Sequence, residues 1–276
     1  MSEQLDELIQ IARDAGAAIL TVYEQDDFGI ETKSDNSPLT KADLAAHNII
    51  IAGLAKLAPE IPVLSEESDE ISYAERQKWN RYFLVDPLDG TKEFINRNGE
   101  FTVNIALIED GIATTGIVYV PVKDVTYAGD MNRDIAFVER DGIRTNISSR
   151  KLKDRLDQNK ALTIVASRRH GGEALQRCLE VLEKSFATIE TANMGSSLKL
   201  CLIAEGAADL YPRLALTSEW DTAAAQAVVE AAGGKVVDID LVPLRYNTKD
   251  SLLNPFFYVI GDKSFEWDEI LNQVTP

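Results

Sequence analysis

A short apolar run, Tyr82-Phe83-Leu84-Val85, breaks off in Asp86-Pro87-Leu88-Asp89-Gly90-Thr91, and this junction constrains the chain more than any other stretch. The aromatic and β-branched run reads as a buried strand. Pro87 cannot donate to a sheet ladder, so the strand is expected to stop there and turn. Asp86 and Asp89 are then presented on a rigid bend at a strand end, with Gly90 allowing the backbone close to a ligand. Thr91-Lys92-Glu93-Phe94 can open a short helix whose first N–H groups would face an anion. A cation and a phosphate together fit that arrangement. The plainer reading is a turn, because Asp-Pro and Asp-Gly are both ordinary turn dipeptides. At roughly 5% per residue type, the five fixed residues of D-P-x-D-G-T would coincide in about one in ten thousand chains of this length.

The 276 residues, 45% hydrophobic and 26% charged, suit a globular chain of one large α/β unit or two fused halves. No apolar run reaches the ~20 residues of a membrane span, and Met1-Ser2-Glu3-Gln4 lacks a basic-then-apolar signal. Cys178 and Cys201 fall within apolar helical patterns and are expected as packed thiols. A reducing cytoplasm is therefore the default location, with peripheral attachment at the inner face of the cell membrane as the alternative. A net charge of −17 argues against a nucleic-acid polymer or an anionic membrane as the main partner. A phosphate compound remains open if divalent cations sit between it and the acids.

Along the chain, Leu5, Leu8, Ala12, Ile19 and Tyr23 recur at near-helical spacing, so residues 3–23 are expected as an amphipathic helix. Thr40-Lys41-Ala42-Asp43 has the form of a capping box opening a second helix, which Pro59 ends. Residues 61–64 read as a short strand, and Ser65-Glu66-Glu67-Ser68 leaves it into an acidic loop. Residues 102–108 and 112–120 flank the hairpin signal Glu109-Asp110-Gly111. Strands at 125–128 and 135–139 and a turn at Asp141-Gly142 extend this into an antiparallel meander. The polar and basic residues 143–160 are the best boundary, dividing an N-terminal α+β half (1–150) from a C-terminal α/β half (151–276). In the second half, strands at 162–166, 186–190, 208–211, 235–239 and 256–260 alternate with helices at 173–183, 197–205, 222–232 and about 264–273.

Glu66 leaves one strand and Asp86 the next, so neighbouring strands would bring both acids to the edge where ligands of open α/β sheets collect. Asp221, in Trp220-Asp221-Thr222-Ala223-Ala224, is either a third contributor or the N-cap of its helix. Asp43 likewise has a structural reading, as the acidic half of its capping box. With only two histidines, His47 and His170, and no Cys-x-x-Cys, zinc and copper lack their usual donors. Clustered carboxylates suit Mg²⁺ or Mn²⁺ instead. Arg168-Arg169-His170-Gly171-Gly172, between a strand and a helix, is either a solvated basic loop or a seat for a second phosphate.

Glu66-Glu67, Asp86-Pro87-Leu88-Asp89-Gly90-Thr91 and Trp220-Asp221 together resemble the lithium-sensitive, magnesium-dependent phosphatases of the inositol monophosphatase superfamily. Within it the chain is most similar to the bacterial 3'(2'),5'-bisphosphate nucleotidases of the CysQ type. That likeness is carried by Asn36-Ser37-Pro38-Leu39-Thr40-Lys41-Ala42-Asp43, Gly90-Thr91-Lys92-Glu93-Phe94-Ile95, the stretch from Arg97 to Asn104, and Gly195-Ser196-Ser197-Leu198-Lys199. The resemblance implies a layered α-β-α-β-α sandwich and two Mg²⁺ ions. One would be held by Glu66, Asp86 and the carbonyl of Leu88, the other by Asp86, Asp89 and Asp221, with a weaker third ion facing Glu66. It further implies that Asp43 and Thr91 orient and deprotonate the attacking water, with Glu66 at the catalytic centre, and that the N–H groups of Gly90 and Thr91 grip the reacting phosphate. Ser196, Lys199 and Arg213 are the nucleotide-binding positions on the same basis. Ala225 departs from the glycine that many relatives carry after Trp-Asp-x-x-Ala.

The expected activity is removal of the 3'-phosphate of adenosine 3',5'-bisphosphate, giving AMP. Some relatives also act on the sulfated form, which links them to sulfur assimilation. An inositol or sugar phosphatase of the same fold is the alternative, and a catalytically silent cation-binding module is the alternative from another class. Monomer and homodimer both remain open.

Overall fold

The computed structural model describes residues 3–32, 38–166 and 172–274. Helix α1 (Glu3–Tyr23) buries Leu5, Leu8, Ala12, Ala15 and Ile19 along one face, as its spacing predicts. A two-residue pairing of β1 (Glu31–Thr32) with β2 (Pro38–Leu39) leads into α2 (Lys41–Leu57), which lies beside α1. Then come β3 (Val63–Ser65), a short α3 (Tyr73–Arg76) within the expected acidic loop, β4 (Arg81–Asp89) and α4 (Thr91–Ile95). Strands β5 (Thr102–Glu109), β6 (Ile112–Val120), β7 (Val125–Asp130), β8 (Ile135–Arg140) and β9 (Ile143–Asn146) form the meander. Its hairpins at Asp110-Gly111 and Asp141-Gly142 have both central residues at positive φ, the turn whose twist matches the strands.

The remainder runs α5 (Leu152–Asp157), β10 (Leu162–Ala166), α6 (Glu173–Ser185), β11 (Ile189–Asn193), α7 (Leu198–Ala204), β12 (Leu210–Arg213), α8 (Ala223–Ala231), β13 (Lys235–Asp238), β14 (Phe257–Ile260) and α9 (Asp268–Leu271). Strands β3 to β9 make a seven-stranded sheet in sequential order, and the order β11-β10-β12-β14-β13 makes a five-stranded mixed sheet.

Alternation along β4 sorts the core into layers. Phe83 and Val85 face α1 and α2, whereas Tyr82 and Leu84 face the opposite way, toward a core shared with α7, α8 and the second sheet. Leu162, Ile164, Tyr258 and Ile260 meet Cys178, Leu182, Trp267 and Leu271 on the far side of that sheet. The result is the expected α-β-α-β-α sandwich. The middle layer packs tightly: a Cβ on Gly129 would lie 2.6 Å from the Val228 Cα of α8, so glycine is needed for this approach. Both cysteines are buried and free, as expected.

Three local expectations are corrected. Strand β4 continues through Pro87 to Asp89, because the proline falls in a bulge, where no ladder N–H is required. Phe186 closes α6, its N–H donating to the Leu182 carbonyl, so β11 begins only at Ile189. The last helix is reduced to Asp268–Leu271, since Asp262 holds Ser264 in a turn through its N–H and Oγ. Among the described residues no helix is long and apolar enough to cross a membrane.

Candidate active site

The bulge in β4 creates the site. Pairing with β5 runs regularly to Asp86 opposite Asn104 and resumes with Asp89 opposite Thr102, so Pro87 and Leu88 together oppose Val103 alone. Residues three apart on a regular strand point to opposite faces; the extra residue turns Asp86 and Asp89 to the same side. The N–H of Leu88 donates to Asp86 Oδ1 at 3.0 Å and closes the turn. Parallel pairing of β3 with β4 ends in Glu66 N–H donating to the Val85 carbonyl at 3.1 Å, which sets Glu66 beside Asp86. Asp221 arrives from the far half of the chain, on a one-turn helix at Glu219–Asp221. It is not the N-cap of α8; its Oδ2 accepts from Ser218 N–H at 2.8 Å.

One carboxylate oxygen from each of Asp86, Asp89 and Asp221 lies within 4.8 Å of the other two. Burial, then the charges of Glu66, Asp89 and Asp221, push the Asp86 carboxyl well above the usual carboxylate range. Burial, then Asp89 and Glu66, push Asp221 up to about 8. Converging acids of this kind repel one another unless a cation neutralises them. The donors are all oxygens, which fits a hard divalent cation.

Asp43 divides its two carboxylate oxygens between two sets of donors. Its Oδ2 accepts from Thr40 N–H at 2.7 Å and Thr40 Oγ1 at 2.6 Å, the capping box, while its Oδ1 accepts from Thr91 Oγ1 at 3.3 Å. Gly90, at φ 92°, opens α4, and a Cβ there would meet Ser196 Cβ at 3.4 Å.

The cluster forms one end of a cavity of about 160 Å³ whose wall includes Asp89, Gly90, Ser196, Lys199, Arg213 and Asp221. The same wall carries two cations, Lys199 and Arg213, together with the acids Glu93 and Glu100. Lys199 is buried with Nζ 3.4 Å from the Met194 carbonyl and 5.8 Å from the centre of the Tyr211 ring. Burial lowers its pKa to about 8, with Asp89 pulling the other way. Arg213 donates from Nη2 to the Leu216 carbonyl at 2.9 Å. Ser196 Oγ and Arg213 Nε are buried without a hydrogen-bond partner. Of the eleven residues singled out from the sequence, Asp86, Asp89 and Asp221 form the cluster, Asp43 meets Thr91, and Gly90, Ser196, Lys199 and Arg213 line the cavity, while Glu66 and Leu88 adjoin the cluster through the Val85 carbonyl and the Asp86 turn. Arg168-Arg169-His170-Gly171 and Asn36-Ser37 lie outside the described residues.

A family model, the Inositol monophosphatase family, matches residues 1–266. The chain belongs to the inositol monophosphatase family. Similar family members include the 3'(2'),5'-bisphosphate nucleotidase CysQ of Shigella flexneri, 49% identical over 256 residues that span 92% of this chain and 98% of that protein. CysQ of Escherichia coli strain K12 is 48% identical over the same coverage. Among solved structures of the family, CysQ from Bacteroides thetaiotaomicron superposes with a TM-score of 0.80 at 41% identity, covering 94% of this chain and 97% of that one.

Two further residues of this inositol monophosphatase family site escaped the sequence reading. Ser197 donates to Asp89, and Asn104 donates from Nδ2 to Ser197 Oγ at 2.8 Å. Both lie inside stretches that carry the family resemblance, but polar residues within a strand and at a helix start give no periodic signal of their own.

Proposed function

We propose that this chain is a divalent-cation-dependent 3'(2'),5'-bisphosphate nucleotidase that removes the 3'-phosphate of adenosine 3',5'-bisphosphate to leave AMP. One observation carries the reading: a single cavity brings the carboxylates of Asp89 and Asp221 together with two cationic side chains, the buried Lys199 and the half-buried Arg213. A substrate with one phosphate to be cleaved and a second to be held matches both sets of groups. The two cations would be superfluous for an inositol monophosphate. The names of the CysQ relatives support the same substrate class.

Glu66, Asp86 and the Leu88 carbonyl would hold one Mg²⁺, and Asp86, Asp89 and Asp221 a second, with Glu66 facing any third. Such ions supply charge neutralisation for a dianionic phosphate and acidify the attacking water. The protein's own groups do the rest. Thr91 Oγ1, with its proton directed to Asp43 Oδ1, can accept a proton from water while passing its own to the carboxylate. The N–H groups of Gly90 and Thr91 would hold the reacting phosphate. Ser196, Lys199 and Arg213 would hold the 5'-phosphate and ribose, and the same contacts would accept the sulfated form.

Phosphate release should be measured from adenosine 3',5'-bisphosphate, its 5'-phosphosulfate counterpart and inositol 1-phosphate, each with and without Mg²⁺. Mg²⁺-dependent turnover that favours the nucleotides is expected. A clear preference for inositol 1-phosphate sinks the substrate assignment.

A further inference from the structure

Among the described residues, Asp89 is the only one of the clustered acids with an oxygen that accepts from both side-chain and main-chain donors outside its own turn. Its Oδ2 accepts from Ser197 N–H at 2.6 Å and from Ser197 Oγ at 2.7 Å, with Thr102 Oγ1 at 3.5 Å. A carboxylate oxygen has two lone pairs, so the two short bonds from Ser197 fill Oδ2. Asn104 Nδ2, buried in β5, donates to Ser197 Oγ at 2.8 Å and so leaves the serine's own proton for an acceptor. The carbonyl of Asp221 is also within 2.8 Å of that hydroxyl. The charged oxygen is the stronger acceptor of the two. Ser197 therefore sits between the strand end that carries Asp89 and the turn that carries Asp221, with its hydroxyl proton on Asp89.

We propose that Ser197 is a positioning residue that restricts Asp89 to offering a single oxygen, Oδ1, to a cation, and so biases the site toward small octahedral cations over Ca²⁺. This rests on the reading of the acids as cation ligands. The chemistry follows from ion size: Mg²⁺ demands near-ideal octahedral geometry with short bonds, whereas Ca²⁺ accepts bidentate carboxylates and irregular shells. An aspartate free to rotate and chelate with both oxygens would favour the larger ion. Ser197, by occupying Oδ2, removes that option.

The test is direct binding. Mn²⁺ is titrated into metal-stripped full-length protein and followed by electron paramagnetic resonance, then displaced with Mg²⁺ and with Ca²⁺, for wild type, Ser197→Ala and Ser197→Thr. Ser197→Ala should bind Mn²⁺ about 10-fold more weakly, within the range for loss of a ligand's outer partner, and its Mg²⁺-over-Ca²⁺ preference should narrow by a similar factor. Ser197→Thr, which retains the hydroxyl, should restore both. An alanine variant that keeps the wild-type affinity and the wild-type ratio overturns the inference alone. A wild-type protein that binds no Mn²⁺ overturns the proposed function beneath it. If Ser197→Ala does not fold, Ser197→Cys, of similar shape but a weak donor, is read in the same way.

Discussion

The two ends of the cavity are built on opposite principles. At the acidic end each aspartate is fixed through an oxygen by nearby donors: Leu88 N–H on Asp86, Ser197 on Asp89, Ser218 N–H on Asp221 and Thr40 on Asp43. Three of those four donors lie two or three residues away in sequence, so the acids are oriented by local turns before anything binds. The two cations are held more loosely. Lys199 is buried with one long contact to a carbonyl, and the half-buried Arg213 bonds the Leu216 carbonyl while its Nε is without a partner. Geometry is thus fixed tightly where bonds would change and loosely where a substrate is only gripped. Small misplacement of reacting groups is costly to rate, whereas a long cationic chain can adjust to an anion.

Asp89→Asn attacks the fixed end and should have the largest effect. Losing a direct ligand should cost kcat/KM more than the ~10–100-fold typical of an outer partner, with weaker cation binding and an unchanged circular dichroism spectrum. Wild-type turnover at low Mg²⁺ in this variant would remove the acidic end from the mechanism. Thr91→Val keeps the shape of the side chain and deletes only the hydroxyl facing Asp43. It should lower kcat by about 10²–10⁴-fold, the usual contribution of a positioned proton-transfer group, with KM little changed.

The contrast also explains what could be read from the sequence. Asp86, Asp89, Gly90 and Thr91 were legible because the turn that orients them is contiguous and its residue types are constrained by backbone geometry. The capping box of Asp43 was legible from local spacing, and its other oxygen accepts from Thr91. Asp221 was identified by resemblance rather than by pattern, and its one-turn helix held by Ser218 was not foreseen. Ser197 and Asn104 were missed because their role exists only where β5 and α7, 93 residues apart at the contact, come together. The same limit applies to the fold. Alternation and turn residues marked the meander, while the continuation of β4 through Pro87 depended on a bulge set by its partner strand.

Lys199→Met tests the loosely held end and should act on binding. Hydrogen bonds to charged groups are worth about 1.5–3 kcal/mol, so KM for adenosine 3',5'-bisphosphate should rise by roughly 10–100-fold while kcat changes little. A nucleotide with the 3'-phosphate but no 5'-phosphate should be hydrolysed with the same KM by variant and wild type. If kcat falls instead, the separation between a chemical end and a gripping end fails.

The smallest expected effect is on stability, and it has opposite signs at the two ends. In the metal-free protein the carboxyls of Asp86 and Asp221 titrate above their unfolded values, near 3.9, so the folded state binds more protons than the unfolded chain. Their contribution is complete below about pH 4 and is lost as pH rises through the folded value, about 8 for Asp221. Lys199 behaves in the reverse sense. Its folded value, about 8, lies below the unfolded one, so its unfavourable charge is relieved only as pH climbs above 8. Metal-stripped protein should therefore lose a few degrees of Tm between pH 5 and pH 8, and the slope should flatten above that. Glu219, raised by burial to about 7, adds to the fall in the same direction, so the diagnostic quantity is the difference made by Mg²⁺. Thermal scans with and without Mg²⁺ should show stabilisation that grows from pH 5 to pH 8, because ions bind the deprotonated acids whose repulsion they offset. A Mg²⁺ increment that is flat across that range would mean that the acids of residues 86 and 221 do not share a cation.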